Sequence, residues 1–464
     1  MRRTCCRSEF RPPYRGMSDK TPSPDILHDL VAAALKAGAD AAEAVSAHRA
    51  SLSVGVRNAE LEEVEREEAR DLGLRVFVGR RQATVSASDL SDATRARLVE
   101  RAVAMAKLAP EDPYAGLAPQ ERLAKGPHAD LDLFDPSERT AEALEAAAAE
   151  AEAAALSVEG VARSDGGHAS WSASEWRLVT SHGFDGRHKG SAFSLGVGVI
   201  AEKDGAMERG GESRATRYLS DLPGAAEIGL KAGERAAARV GPRKIASTTA
   251  PVIFENRIAT QVLSPLLGAI SGPAIARGSS FLKDKLGQRV LPAEVDMIDD
   301  PFRLRGLGST PFDDEGVAVE RRNIVEDGVI TTWLLNSAAA AQLGMASTGH
   351  ASRGLAGPSG VSTHNLHLAP GERDKAGLMT EAGSGLLITS MFGPSLNANN
   401  GDWSAGVSGF WFEDGEIAYP VSEVTVAGNL IDLYARLVRG SDLEFRGSFN
   451  SPSLMFDAVA IAGK

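Results

Sequence analysis

The chain has 464 residues, 43% hydrophobic and 24% charged, an ordinary balance for a globular protein of two or three domains. Its formal net charge of −12 argues against nucleic acid or an anionic membrane as a main partner, because both require a positive surface. The only cysteines are Cys5 and Cys6, so no disulfide framework is expected to support the fold.

Met1 to Gly16 holds five Arg against one Glu and has no apolar stretch of the roughly 7–15 residues that a signal peptide needs. It reads as a mis-assigned start or a disordered basic tail over residues 1–23, and the cytoplasm is the default location. A small N-terminal α+β domain is expected over 24–110. Ser23-Pro24-Asp25 caps a helix carrying Ile26, Leu27, Leu30, Ala34 and Leu35, with Gly38 at its end. Strand patterns follow over Ala44–Val56, Leu72–Val78 and, after the turn Gly79-Arg80-Arg81, Ala83–Ala87. Ser91-Asp92 opens a second helix with Leu98, Ala102, Met105 and Leu108 on one face, stopped by Pro110.

Residues 111–134 are punctuated by Pro and Gly and read as a linker. A central domain is expected over 135–245. Asp135-Pro136-Ser137-Glu138 reads as the start of an Ala/Glu-rich helix reaching about Leu156. A β-meander over Ala169–Ser220 turns at Gly183–Gly186 and Lys203–Gly205, and Leu222–Val240 is helical. The remainder, 246–464, is strand-rich. Pro251–Phe254 is a short buried strand, and Asn256 caps an apolar helix through Ile258, Val262, Leu263, Leu266 and Leu267. Asp327-Gly328 and Asp414-Gly415 are hairpin turns, each inside a Glu-Asp-Gly.

Few side chains offer chemistry. None of the nine histidines is followed by Glu, so no zinc-peptidase HExxH or HExxxH exists. His364 and His367, three apart on a strand, point to opposite faces; His182 and His188 flank a turn and read as solvated. Ser280 and Lys283 match the S-x-x-K pair of penicillin-binding enzymes, a pattern common by chance. Asp299-Asp300 and Asp313-Asp314-Glu315 are carboxylates suited to a cation, or to capping turns on a solvated surface. Two glycine-rich loops, Ser347–Gly354 and Met391–Ser395, are tight turns or a substrate- or partner-facing rim, with Gly349, His350, Arg353 and Gly393 as its candidate residues.

The run GDWSAGVSGFWFEDGEIAYPVSEVTVAGNL from Gly401 to Leu430 resembles the C-terminal domain of the TldD/PmbA family, specifically its PmbA (TldE) branch. Asp313-Asp314-Glu315-Gly316-Val317, Thr348-Gly349 and Arg277-Gly278-Ser279-Ser280-Phe281 belong to the same likeness, which covers about Asp25 to Ala462. In the TldD branch the helix before that Arg-Gly-Ser run carries HExxxH. Two imidazoles on one helical face would hold zinc there and the glutamate would act as general base. Here those positions fall on Ser264, Pro265 and Ala269, so the resemblance implies no catalytic residue, no cofactor and no metal in this chain. It implies a catalytically inert subunit that completes a peptidase chamber with a TldD-type partner. That partner carries the zinc and acts on unfolded peptides, and homodimers could form when it is absent. An older label for such proteins is modulator of DNA gyrase, and nothing in the charge or motifs supports a direct gyrase contact. The readings from outside this family are a free-standing hydrolase using Ser280 or the Asp/Glu cluster, and a peptide-binding adaptor without a partner enzyme.

Overall fold

A computed structural model describes residues 24–357 and 359–464. The tail expected over residues 1–23, with Cys5, Cys6 and the Ser23 cap, lies outside the described residues. The chain is α+β, as its patterning predicts. No helix among the described residues is long and apolar enough to cross a membrane.

Helix α1 (Pro24–Lys36) buries Leu27, Leu30, Val31 and Ala34, the stripe of an amphipathic helix. Strands β1 (Ala41–Arg57), β2 (Glu60–Val78) and β3 (Arg81–Ala87) form an antiparallel meander. Helix α2 (Asp92–Leu108) starts at Ser91, whose side chain accepts from the Thr94 amide. Its buried face is Leu98, Val99, Ala102, Val103 and Ala106. The Met105 and Leu108 expected on that face are exposed, because the packed stripe is rotated by one residue toward the sheet.

Helix α3 (Ala141–Leu156) starts at Thr140, not at Asp135. Asp135 is buried, and its carboxylate accepts from the amides of Ser137 and Leu219 instead of capping a helix. The side chain closes an Asx-type turn and ties it to a distant segment. Strands β4 (Val161–Thr180), β5 (Asp185–Lys203) and β6 (Ala206–Thr216) precede helix α4 (Ala225–Ala238). β1 pairs with β2 on one side and with β4 on the other. The first two units therefore share one six-stranded sheet in the order β3-β2-β1-β4-β5-β6. Helices α1 and α2 cover one half of it, α3 and α4 the other.

The segment expected as a linker is packed rather than loose. Ala118 and Leu131 are buried, Leu123 bridges to Val317, and Arg122 Nη2 donates to the Ser347 carbonyl at 2.7 Å. Strand β2 is twelve residues longer at its start than its apolar pattern indicates. Glu60 to Glu68 is exposed and beyond the reach of β3, which pairs no further than Leu72. Its glutamates give a charged edge that discourages pairing with another sheet.

The third unit begins with β7 (Thr248–Phe254), α5 (Asn256–Ala269), α6 (Gly272–Ala276) and β8 (Met297–Asp299). Next come β9 (Arg322–Glu326), β10 (Val329–Ile330), α7 (Ser337–Leu343), β11 (Ala351–Ser352), β12 (Gly360–Val361) and β13 (Leu366–Leu368). Then follow α8 (Lys375–Ala382), β14 (Gly385–Leu396), β15 (Asp402–Glu413), β16 (Glu416–Asn429) and α9 (Leu430–Ala435). The last strands are β17 (Val438–Arg439), β18 (Phe449–Asn450) and β19 (Leu454–Ala462). β15 and β16 are the long hairpin legible from Gly401. Asp414 and Gly415 sit at φ 51° and 80°, as a type I′ turn requires. Pairing runs β16-β15-β14-β7-β19, and β16 also pairs with β19, so these strands close into a barrel. Helix α5 buries Ile258, Val262, Leu263 and Leu266 in the same core as Phe254, Ile388, Trp403 and Val407. The fully buried Tyr434 donates its hydroxyl to the Val262 carbonyl at 2.7 Å and anchors α9 to that helix.

Candidate functional site

Helix α5 carries the positions where a zinc peptidase would place its ligands. Its N-cap is Glu255, one residue earlier than expected. Asn256 instead donates its side-chain amide to the Asp442 carbonyl at 2.8 Å. Pro265 lies inside the helix and removes the hydrogen bond to the Gln261 carbonyl. Ser264 is exposed, with its hydroxyl donating to the Thr260 carbonyl at 2.8 Å, whereas Ala269 is buried. Positions five apart on an α-helix diverge by about 140°. The shared face expected for these two positions is therefore absent from a regular helix. Pro265 and Ala269 have no donor atom, so the residues present do not fit a zinc ion.

The S-x-x-K reading fails on burial. Ser280 is 2% exposed; its hydroxyl donates to the Ala269 carbonyl at 2.6 Å and accepts from the Leu282 amide at 2.9 Å. It ties off the end of α5, while Lys283 is exposed. A nucleophile needs a base and an open face; Ser280 has neither.

The carboxylates expected on a solvated surface are mostly buried. Asp313 accepts from the amides of Glu315, Val317 and Ala351. Asp314 accepts from the Arg353 amide, and Glu315 from Ser337. Burial, and then the neighbouring Glu315 charge, push Asp313 well above the usual carboxylate range. Their capping role is as expected, but they sit inside the junction of loops rather than outside it.

The glycine loop from Ser347 to Gly354 also turns inward. Gly349 has φ +72°, and a Cβ there would sit 2.7 Å from the Ala318 carbonyl, so only glycine fits. His350 is 1% exposed and Arg353 8%, so neither forms an exposed rim. The Arg353 charge is met by Glu43 and the His350 ring by Asp299, and these interior partners offset the cost of burying both groups. Gly393, on β14, is the one rim candidate that is exposed.

His350 belongs to a cluster that no sequence spacing announces. Asp299 Oδ2 lies 3.0 Å from His350 Nε2 and 2.7 Å from His364 Nδ1, and Asp299 Oδ1 accepts from the His364 amide at 2.8 Å. Thr348 Oγ1 sits 2.8 Å from His350 Nδ1 and fixes the ring. Burial opposes ionisation of Asp299, but the bonds from both histidines outweigh it and hold the carboxyl well below its usual range. Burial lowers His350. The three groups are metal-ligand types with ligand atoms within 4.8 Å of one another. However, Oδ2 already lies within hydrogen-bond distance of both rings, and all three residues are buried. The arrangement does the work of a charge-assisted knot between β8 and two loops. His367 is turned away, 5.2 Å from the Phe445 ring, so His364 and His367 do occupy different faces. His188, expected in solvent, is pushed down to about 4 by burial and packs against Phe312 at 5.7 Å.

Untagged protein dialysed without chelator is accordingly expected to hold far less than one zinc per chain by elemental analysis. A stoichiometric zinc would overturn the reading of both α5 and the Asp299 cluster.

Known proteins resemble the chain along nearly its whole length. Residues 42–106, 134–240 and 247–463 match domain 1, the central domain and the C-terminal domain of the PmbA/TldA metallopeptidases. Metalloprotease PmbA of Escherichia coli O157:H7 is 38% identical over 444 residues, 95% of this chain and 96% of that protein. The PmbA homologue of Haemophilus influenzae is 36% identical over 433 residues, 93% of this chain and 94% of that one. Among solved structures, a candidate modulator of DNA gyrase from Bacteroides thetaiotaomicron superposes with a TM-score of 0.88 at 26% identity, covering 95% of this chain and 98% of that one. TldE from Thermococcus kodakarensis, at 22% identity and a TM-score of 0.84, covers 94% of this chain and 100% of that one and shares the fold. With relatives of this likeness along nearly its whole length, the chain belongs to the PmbA/TldD metallopeptidase family, in its PmbA (TldE) branch.

Proposed function

We propose that this chain is the catalytically inert subunit of a two-subunit zinc metallopeptidase that degrades or processes unfolded peptides. The zinc and the catalytic glutamate belong to a homologous partner bearing HExxxH. One observation carries the reading: a chain whose relatives are named metalloproteases has Ser264, Pro265 and Ala269 where the metal-binding and basic groups would stand. Such a subunit acts by shape, closing a chamber or presenting peptide.

The barrel offers a surface suited to that task. β14 pairs with β7 only as far as Ile388. From Thr389 to Leu396 it has β15 on one side and no strand on the other among the described residues. An extended peptide can add to such an edge through main-chain hydrogen bonds. A free-standing hydrolase is disfavoured, because Ser280 is buried and both of its hydroxyl contacts are to backbone.

The test mixes this chain with its HExxxH-bearing homologue and an unstructured peptide. A stable heteromer is expected, with cleavage that requires the partner's glutamate and is unchanged by Ser280→Ala in this chain. Cleavage by this chain alone, or a rate that tracks Ser280, would sink the proposal.

A further inference from the structure

Between the first sheet and the barrel lies a groove whose charge runs against that of the whole chain. A cavity of about 500 Å³ is walled by β6, α4, the first turns of α5, β14 and β15. Arg209, Arg235, Arg239 and Arg257 line it against Glu234 and Glu255. A second hollow of about 720 Å³ continues past Arg257, adding Arg214 and Arg446 against Glu212. Six guanidinium groups thus face three lining carboxylates in a chain of net charge −12.

The carboxylates present are shared, so the surplus is not neutralised within the groove. Arg214, Arg235 and Arg446 all converge on Glu212, which is almost wholly buried. Arg257 divides Glu255 with Lys375. Arg239 donates to the Arg209 carbonyl at 3.2 Å, while Asp165 beside Arg209, Glu208 near Arg239, and Glu444 beside Arg214 and Arg446 stand outside the lining. Burial, and then the charge of Arg257, push Arg235 down to about 10. Partly desolvated cations crowded in this way gain from an added anion.

The neighbouring wall indicates what kind of anion. Thr389, Ser390 and Met391, the start of the unpaired edge of β14, line the same cavity, and the Thr389 hydroxyl is buried without a hydrogen-bond partner. Ile258 and Phe410 add apolar surface. A strand edge beside clustered arginines suits an extended chain bearing a carboxylate, since guanidinium matches carboxylate geometry in bidentate fashion.

We propose that this arginine-lined groove binds a carboxylate of an extended peptide, held by Arg235, Arg239 and Arg257 while the peptide main chain lies along β14 from Thr389. The proposal rests on the peptide-handling role above and names its substrate class: peptides with an acidic side chain or a free C-terminus entering the groove.

Fluorescence anisotropy on the full chain, without its partner, tests this with labelled unstructured decapeptides. One is acidic with an amidated C-terminus, one neutral with a free C-terminus, and one neutral and amidated. At least one carboxylate-bearing peptide should bind about tenfold or more tighter than the neutral amide, as expected for a charge-assisted hydrogen bond in a sheltered site. Which of the two gains identifies the carboxylate's source. Arg239→Gln, whose side chain hydrogen-bonds a carbonyl and has no carboxylate within ion-pair distance among the described residues, and Arg257→Gln, which leaves Glu255 with Lys375, should each erase most of that gain without shifting the melting temperature. Equal binding of all three peptides, no binding, or a preference that survives both substitutions overturns the groove proposal. Loss of preference with partner-dependent cleavage intact leaves the subunit role standing; preference without such cleavage removes the subunit role alone.

Discussion

Replacing Glu43 by Ala is expected to cost about 3–5 kcal/mol, the range for removing one partner of a buried ion pair. Glu43 is 2% exposed on β1 and meets two guanidinium groups, Arg75 at 3.3 Å from its own sheet and Arg353 from the third unit. The two arginines would not suffer equally. Arg75 keeps Gln82, at 2.9 Å from Nε, and the face of Phe77 at 4.8 Å. Arg353 keeps only the Gly354 carbonyl at 3.4 Å, and its Nη2 already lacks a partner. A fully buried cation would then lose its ion-pair partner, with only the field of Asp314 to offset its charge, which is the costly case. The two segments pack tightly beside the pair, since a Cβ on Gly73 would lie 2.6 Å from the Leu355 carbonyl. Urea unfolding followed by tryptophan fluorescence measures the effect. The double variant Glu43→Leu with Arg353→Leu should recover most of the loss, since an apolar pair can replace a buried ion pair at little cost. A single-variant loss below about 1 kcal/mol would mean that water reaches Arg353.

How much of this was legible in the sequence depended on how local the cause was. Asp327-Gly328 and Asp414-Gly415 are legible because a type I′ turn is decided by two adjacent residues with positive φ, here 48° and 75° in the first and 51° and 80° in the second. Helix α5 was legible because its apolar period survives a proline, although its cap lay one residue early. The start of α3 is not legible at Asp135 because that residue has a sequence-distant partner, the Leu219 amide. The first half of β2 was invisible because a two-sided, solvated edge strand has no apolar alternation to detect.

The candidate sites divide in the same way. The loss of function at Ser264, Pro265 and Ala269 could be read directly, since an absent side-chain atom needs no structure to establish it. The burial of Asp313, Glu315, His350 and Arg353 could not. Acidic and basic residues in glycine-rich loops look solvated until the carboxylate that meets each cation is located, and Glu43 lies 310 residues from Arg353. The arginine groove was equally hidden, because β6, α4, α5 and C-terminal residues contribute to it and the net charge of the chain points the other way.

The Asp299 cluster supplies the second large effect, and it separates a charge from a hydrogen-bonding role. Asp299→Leu should cost about 3–5 kcal/mol, because it orphans the His364 amide and two ring nitrogens in a buried site. Asp299→Asn should cost markedly less. Its carbonyl oxygen can still accept from the His364 amide, and its NH₂ can donate to both rings once each imidazole changes tautomer. His350 can make that change by donating from Nδ1 to Thr348 Oγ1, 2.8 Å away. The two variants should also differ from the native protein in acid. The folded-state pKa of Asp299 is depressed, so its contribution is present above its unfolded value near 3.9 and is lost as pH falls toward the folded value. His350 is depressed as well, so below about 6.5 the unfolded chain takes up a proton that the folded chain refuses, and stability declines with falling pH. In Asp299→Asn the carboxylate's share of the acid loss below pH 4 should vanish. The decline beginning near 6.5 should steepen, because His350 no longer has an anion to stabilise its charged form. Melting temperatures of the three proteins between pH 3 and 8 read both changes. Equal destabilisation by Leu and Asn would show that the negative charge, not the hydrogen-bond geometry, is what these histidines require.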